Sequence, residues 1–366
     1  MSKRVLVLNN YPFEQVWQEV KRGEKPDHHL YGINYFHTRG YEVELVPFTS
    51  SQFLQQVGQL YRRSRLPIPL GNFDQQWSCW QQLNQADLIY CPCQTQTHLL
   101  NYLRAIGLIK IPIVCIAHHP LNYGKLAKLR QPFFELLVKG TDAFPSLSSV
   151  VAAEINQLAH SDRKSGYLSW GPDANYYQAS DPASDRVGEG VIAAGRTGRD
   201  FQTFGQAASQ TNAKAQIICL ESGYNDTLQG FSQNVSVMAL PDHNYMKYPQ
   251  LLQLYAQARI LAIPVVVTQS IAGLTSLMDA LGMGKPVIMT KHPLIDLDIE
   301  ALGVGKWVAP GDVEGWRSAI QFFEDDPDAA LEMGHRARQL VEQGFNSEVF
   351  SQQVMDIFDR LFASAT

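Results

Sequence analysis

The first 170 residues alternate short, β-rich apolar runs with stretches in which apolar residues recur every three or four positions. The runs are Arg4 to Leu8, Tyr41 to Phe48, Asp87 to Cys91, Ile111 to Ala117 and Ala143 to Leu147; the helical stretches include Leu30 to His37, Leu99 to Ile106 and Leu126 to Val138. The second half repeats the alternation. Strands are expected at Gly190 to Ala194, Ala215 to Leu220, Val235 to Leu240, Ile260 to Val266, Pro286 to Met289 and Trp307 to Val308. Helices are expected at Phe201 to Ala208, Tyr248 to Ala258, Thr275 to Met283 and Val313 to Phe323. Strand and helix in repeated alternation predict a parallel sheet covered on both faces. Two such series predict an α/β chain with two Rossmann-like, doubly wound domains in tandem, residues 1–170 and 190–345. Residues 171–189 read as a linker, because Trp170-Gly171-Pro172-Asp173 opens a polar stretch without hydrophobic period. Residues 346–366 read as a terminal helix with Phe350, Val354, Phe358 and Leu361 on one side, suited to packing back on the first domain.

Composition narrows the class. A chain of 366 residues exceeds what one core supports, and 45% apolar residues with 18% charge exclude a disordered chain. The longest apolar stretch, Ala258 to Val267, is about half of a membrane span, and Met1 to Leu8 lacks the length and exit of a signal peptide. Five cysteines without metal-ligand spacing, four of them in or beside strands, point to a reduced, cytoplasmic protein. The net charge of −5 conceals an asymmetry: residues 1–170 carry 17 Lys and Arg against 12 Asp and Glu, residues 171–366 carry 13 against 23. The basic half includes Tyr61, Arg62, Arg63 and Arg65, which suit either a solvated helix end or peripheral contact with an anionic membrane or acceptor. Trp77 and Trp80, three apart, are expected to face the core.

Several chemistries lack their signatures. There is no phosphate-binding Gly-Lys-Ser loop, no His-Glu-x-x-His, no nucleophile elbow and no Gly-x-Gly-x-x-Gly after a strand. The informative run follows the strand ending at Val266. Gly273 there permits close backbone approach, and the amides of Leu274, Thr275 and Ser276 would open a helix, a ready anion site. Asp279, four positions after Thr275, shares its face about 5.4 Å farther along the axis. A diphosphate at the tip and a ribose one turn down would fit that spacing; so would an ordinary helix with a polar start and an exposed aspartate.

The run Gly273-Leu274-Thr275-Ser276-Leu277-Met278-Asp279-Ala280, closed by Gly284-Lys285-Pro286-Val287-Ile288, resembles the donor-site helix of GT-B glycosyltransferases of the family 4 type. Gly305 to Asp312, Asp326-Pro327 and Met333-Gly334-His335-Arg336-Ala337-Arg338 carry the likeness onward. It covers residues 165–366 well and the first half loosely, as a fold. The resemblance implies sugar transfer from a nucleotide-sugar co-substrate, UDP-sugar preferred, to a small-molecule, glycan or lipid acceptor. No cofactor, no metal and no nucleic acid is implied. Gly195-Arg196-Thr197-Gly198-Arg199-Asp200 resembles the family's Gly-Arg segment, which makes Arg196 and Arg199 the expected diphosphate ligands; guanidinium forks match phosphate oxygens. Arg196 equally suits a surface carboxylate, and Asp200 suits the cap of the following helix.

His118, at the end of a strand, resembles the family's sugar-facing histidine, able to donate a hydrogen bond or act as base; it would serve equally to satisfy loop carbonyls. Asp27 and His28 stand where inverting relatives place their base, although Asp27 also suits a helix cap. Ile271 occupies the place of an acidic residue in retaining members, and Asp279 replaces the usual Glu. Gln269 and Ser270 are then the expected donor-sugar contacts. This departure admits a noncatalytic nucleotide-sugar-binding relative, and an epimerase of the same fold is the enzymatic alternative.

Overall fold

Both series of apolar runs become parallel sheets in the computed structural model, which describes residues 2–48, 51–64, 68–179, 188–243 and 246–364. The chain divides into two compact units. One comprises Met1–Lys21, Asp27–Trp170 and Ser347–Thr366, the other Arg22–Pro26 and Gly171–Asn346.

In the first unit β1 (Lys3–Val7), β2 (Tyr41–Leu45), β3 (Leu88–Cys91) and β4 (Ile113–Cys115) pair in the order β2-β1-β3-β4. β3 and β4 are buried throughout, as continuous apolar strands covered on both faces must be. Two expectations are corrected here. Ala143 to Leu147 makes only isolated bridges, Val114 with Ala143, Ala117 with Ser146 and Ser146 with Tyr167; Pro145 lacks an amide and contributes its carbonyl alone, to Ala117 N at 2.8 Å. The helical period at Leu30 to His37 winds as two 3-10 segments, Asp27–Leu30 and Ile33–Arg39. They are separated by Gly32 at φ +84°, where a Cβ would lie 2.9 Å from Ser351 Cβ.

That contact belongs to the terminal helix Ser347–Ala363. Ser351 Oγ donates to Gly32 O at 2.8 Å, and Phe350, Val354 and Phe358 are buried. Phe358 lies edge-on to Phe36, Tyr41 and Tyr90, and Arg39 bonds Asp356 and Asp359 on the same helix. Trp77 and Trp80 depart from the expected core position: they are 51% and 40% exposed, because Gln75, Gln76 and Cys79 take the inner face of their helix.

In the second unit β5 (Val191–Ala194), β6 (Ala215–Leu220), β7 (Val235–Leu240), β8 (Ile260–Ile263), β9 (Val287–Thr290) and β10 (Gly305–Val308) form a sheet ordered β10-β9-β8-β5-β6-β7, all parallel. The segment read as a linker contains the helix Ala174–Ala179, whose Tyr177 is 1% exposed; residues 180–187 lie outside the described residues. Asp200 caps the helix Phe201–Ala208 through Thr203 N, as its position in the sequence suggests.

Phe358→Ala is expected to cost about 3 to 5 kcal/mol through the cavity it leaves, read as a lower midpoint in urea unfolding. A loss below about 1 kcal/mol, the scale of an ordinary surface change, would show that the terminal helix adds little packing.

Candidate functional site

Strand order in the second sheet reverses at β5. The chain proceeds through β6 and β7 to one side, then returns for β8, β9 and β10 on the other. The carboxyl ends of β5 and β8 therefore flank a topological switch point, where open α/β sheets hold ligands. Two loops emerge there and are stitched together: Val266 N donates to Gly198 O at 2.9 Å and Asp200 N to Pro264 O at 3.1 Å.

The first loop folds Arg199 back on itself. Gly195, at φ +155°, makes this possible, since a Cβ there would fall 2.1 Å from Arg199 Nε. The guanidinium donates to Ala194 O at 3.2 Å, Thr197 O at 3.4 Å and Ser276 Oγ at 2.9 Å. All three acceptors are neutral. Burial lowers the Arg199 pKa, and the opposing attraction of the Tyr255 oxygen is the smaller effect. Arg196 is exposed on the same loop.

The second loop ends in Gly273 at φ +86°, where a Cβ would lie 2.6 Å from Ile263 Cγ2. The helix Leu274–Gly282 starts here with no side-chain cap. Its first internal bond runs from Leu277 N to Gly273 O at 2.9 Å, so the amides of Leu274, Thr275 and Ser276 lie ahead of the ladder. Thr275 is exposed and Ser276 buried beneath Arg199. At the other end Arg338 Nη1 donates to Gly282 O at 2.6 Å. A guanidinium with only neutral partners, beside an uncapped helix start, is an arrangement that binds a polyanion.

Gln269 and Ser270 are exposed on the loop after β8. His292, which sequence reasoning missed, follows β9. Its ring is 2% exposed, accepts from Leu294 N at 3.2 Å and sits near the backbone of Thr268 and Ser270. Its place two residues after a strand was the available signal.

Asp279, the residue expected to hold the ribose, lies inside the second unit. It is 2% exposed, and its Oδ1 accepts hydrogen bonds from Tyr177 Oη at 2.6 Å and from Tyr248 Oη. The helix is buried from Ser276 through Gly282, so the face shared with Thr275 meets solvent only at its first turn. Desolvation raises the Asp279 pKa to about 6, against the lowering effect of the two hydroxyls.

In the first unit His118 is half-buried just beyond β4. Its Nε2 lies 2.6 Å from Pro92 O, which assigns the ring proton to Nε2. Its amide and that of His119 both donate to Gln94 Oε1, at 2.5 and 3.0 Å. Gln94 escaped the sequence reading because nothing in a Gln-rich stretch distinguishes it. Burial pushes the His118 pKa down to about 4, so the ring is neutral at pH 7 and a weak base.

Asp27 and His28, the residues expected as an acceptor-side base, are both buried. His28 is 1% exposed and edge-on to Trp170, and Asp27, also buried, accepts from Asn34 Nδ2 at 2.9 Å. Both belong to the 3-10 turn Asp27–Leu30, whose His28 O accepts from Trp170 Nε1 at 3.2 Å. Among the described residues no three His, Cys, Asp or Glu side chains gather as a metal site.

No protein-family model and no curated protein matches the sequence. Solved structures match its fold. Anabaena HepE in complex with UDP-glucose is 16% identical with a TM-score of 0.65, over 98% of this chain and 100% of its own. Sucrose-phosphate synthase from Thermosynechococcus elongatus is 13% identical at 0.65, over 100% of both chains. A glycosyltransferase from Rickettsia africae is 12% identical at 0.65, over 99% of both. The fold is GT-B.

The raised Asp279 pKa gives a pH dependence of defined sign. Its protonated form is favoured in the folded chain, so its stabilising contribution is full below about pH 4 and is lost as pH rises through about 6. Relative to Asp279→Asn, the wild type should lose up to about 3 kcal/mol of unfolding free energy between pH 4 and 7. A difference that stays flat across that range would show the carboxylate to be solvated.

Proposed function

We propose that this chain is a glycosyltransferase that moves a sugar from a nucleoside diphosphate sugar, UDP-sugar in first place, to an acceptor hydroxyl. The observation that carries the reading is Arg199, a guanidinium with only neutral partners, held 2.9 Å from Ser276 at an uncapped helix start. As the glycosidic bond breaks, negative charge grows on the departing diphosphate. A fixed cation and free amides stabilise it with little reorganisation. Arg196, exposed on the same loop, adds a second cation, and in this reading neither metal nor cofactor is needed.

HepE bound to UDP-glucose, and to UDP with glucose, supports uridine as the base. Gln269 and Ser270, exposed beside the helix start, are the donor-sugar contacts. Neutral His118 offers Nδ1 as a hydrogen-bond acceptor to a sugar hydroxyl. Asp279 serves indirectly, by fixing Tyr177 and Tyr248 against the helix that carries the amides.

The reading extends to a cytoplasmic protein with peripheral contact at an anionic membrane. All five cysteines are free and four are buried, and no described helix is long and apolar enough to cross a membrane. Of the arginine cluster noted in the sequence, Arg65 lies outside the described residues. A better surface is Tyr123 to Arg130, where exposed Tyr123, Leu126 and Leu129 interleave with Lys125, Lys128 and Arg130 and no acid intervenes.

Arg199→Ala should weaken UDP-glucose binding about 10- to 100-fold, the scale of a lost charge-assisted contact, and abolish the donor's thermal shift. Gly195→Ala should do the same by displacing the guanidinium. A wild-type shift in Arg199→Ala, or an epimerised sugar formed without acceptor, would refute transfer at this site. For the membrane contact, Leu126→Asp with Leu129→Asp should weaken association with phosphatidylglycerol-containing vesicles, read by sedimentation, about 100-fold or more, each buried leucine contributing roughly 1.5 to 3 kcal/mol. Unchanged sedimentation would exclude this surface.

A further inference from the structure

The first unit holds a cavity of about 410 Å³ between residues 142–145, residues 163–168 and the terminal helix. It lies away from His118. Asp142 N donates to Ile113 O and its carboxylate accepts from Ile113 N, both at 2.8 Å. Ile113 opens β4 and the lining residues 142–145 run beside that strand; His118, beyond its carboxyl end, is not among the residues that line the cavity.

The charges lining this cavity do not balance. Asp142 is already held by Arg104, through Nε at 3.0 Å and Nη2 at 2.7 Å. Asp356 is already held by Arg39 at 2.5 Å. Arg163, Lys164 and Arg360 also line the wall, and among the described residues none of the three has a carboxylate in ion-pair range. Lys164 is half-buried, and burial lowers its pKa; the attraction of Asp142 opposes this and is offset by repulsion from Arg104. An ammonium group withdrawn from water without a counter-ion is costly, and a bound anion would remove that cost. The opposite wall is apolar or aromatic, with Tyr167, Ile357 and Leu361. The volume falls within the range of small-ligand sites.

We infer that this cavity binds a soluble phosphate ester, its phosphate among Arg163, Lys164 and Arg360 and its ring or apolar portion against Tyr167, Ile357 and Leu361. A phosphate monoester carries close to two negative charges at pH 7 and several acceptor oxygens, which matches three donors better than a single carboxylate does.

The same phosphate chemistry could be presented by a lipid headgroup, so the test has two arms. The full-length protein is titrated calorimetrically with phenyl phosphate, inorganic phosphate and phenol, and separately sedimented with phosphatidate-containing vesicles. Phenyl phosphate should bind roughly tenfold more tightly than inorganic phosphate, because only it reaches the apolar wall, and phenol should not bind. Lys164→Met at its half-buried position and Arg360→Gln at its exposed one should each weaken phenyl phosphate roughly tenfold. Arg199→Ala should leave it unchanged, which separates this cavity from the donor site. The inference is overturned if phenyl phosphate does not saturate at millimolar concentration, if neither charge-removing variant weakens it, or if Arg199→Ala abolishes it. Vesicle binding lost in Lys164→Met without any binding of phenyl phosphate would assign the phosphate to a lipid and equally overturn it.

Discussion

A partly buried guanidinium bonded to neutral oxygens is the constraint around which the second unit's candidate site is arranged. Arg199 can occupy that position only because Gly195 has no Cβ to obstruct Nε, and it meets Ser276 only because Gly273 brings the helix start against the ends of β8 and β9. Two glycines at two strand ends thus fix one charge and one set of amides. A charge so placed costs desolvation energy that carbonyls and a hydroxyl only partly return. An anionic ligand would complete the balance, so such an arrangement suits a binding site better than it stabilises a fold.

The helix that supplies the amides is held as firmly as the charge. A Cβ on Gly282 would strike the Tyr177 ring at 2.3 Å, and one on Gly334 would fall 2.2 Å from Gly284 O. Close approach on two sides and the bond from Arg338 to Gly282 leave the helix little freedom to shift. Rigid support matters at such a site, because amide groups aimed at developing charge lose their effect with small displacements. Asp279 belongs to this support through Tyr177 and Tyr248.

Much of the fold was legible because strand periodicity and burial report the same physics. Ten of the expected runs became strands, and Asp200 was recognisable as a cap because its side chain acts within three residues of itself. What the sequence hid depends on neighbours distant along the chain. The spacing of Thr275 and Asp279 correctly puts them one turn apart, but no spacing reveals that Tyr177, from a segment with the composition of a linker, covers the second turn. His28 reads as a reactive imidazole until Trp170, 142 residues away, closes over it. The break between the two 3-10 segments falls at Gly32, which meets Ser351, a contact that no local period encodes.

The burial of these side chains bears on the chemistry asked of the proposed reaction. With Asp27, His28 and Asp279 buried and the His118 pKa near 4, none of the four is an exposed group that gains or loses a proton near pH 7. Ile271 adds none. Rate enhancement at the proposed site then comes from stabilising the departing diphosphate, whose own oxygens can accept the proton released by the acceptor hydroxyl. Under that scheme the precise placement of Arg199 and the helix amides replaces a tuned base, and the structural effort concentrated on Gly195, Gly273 and the clamped helix has a direct chemical purpose.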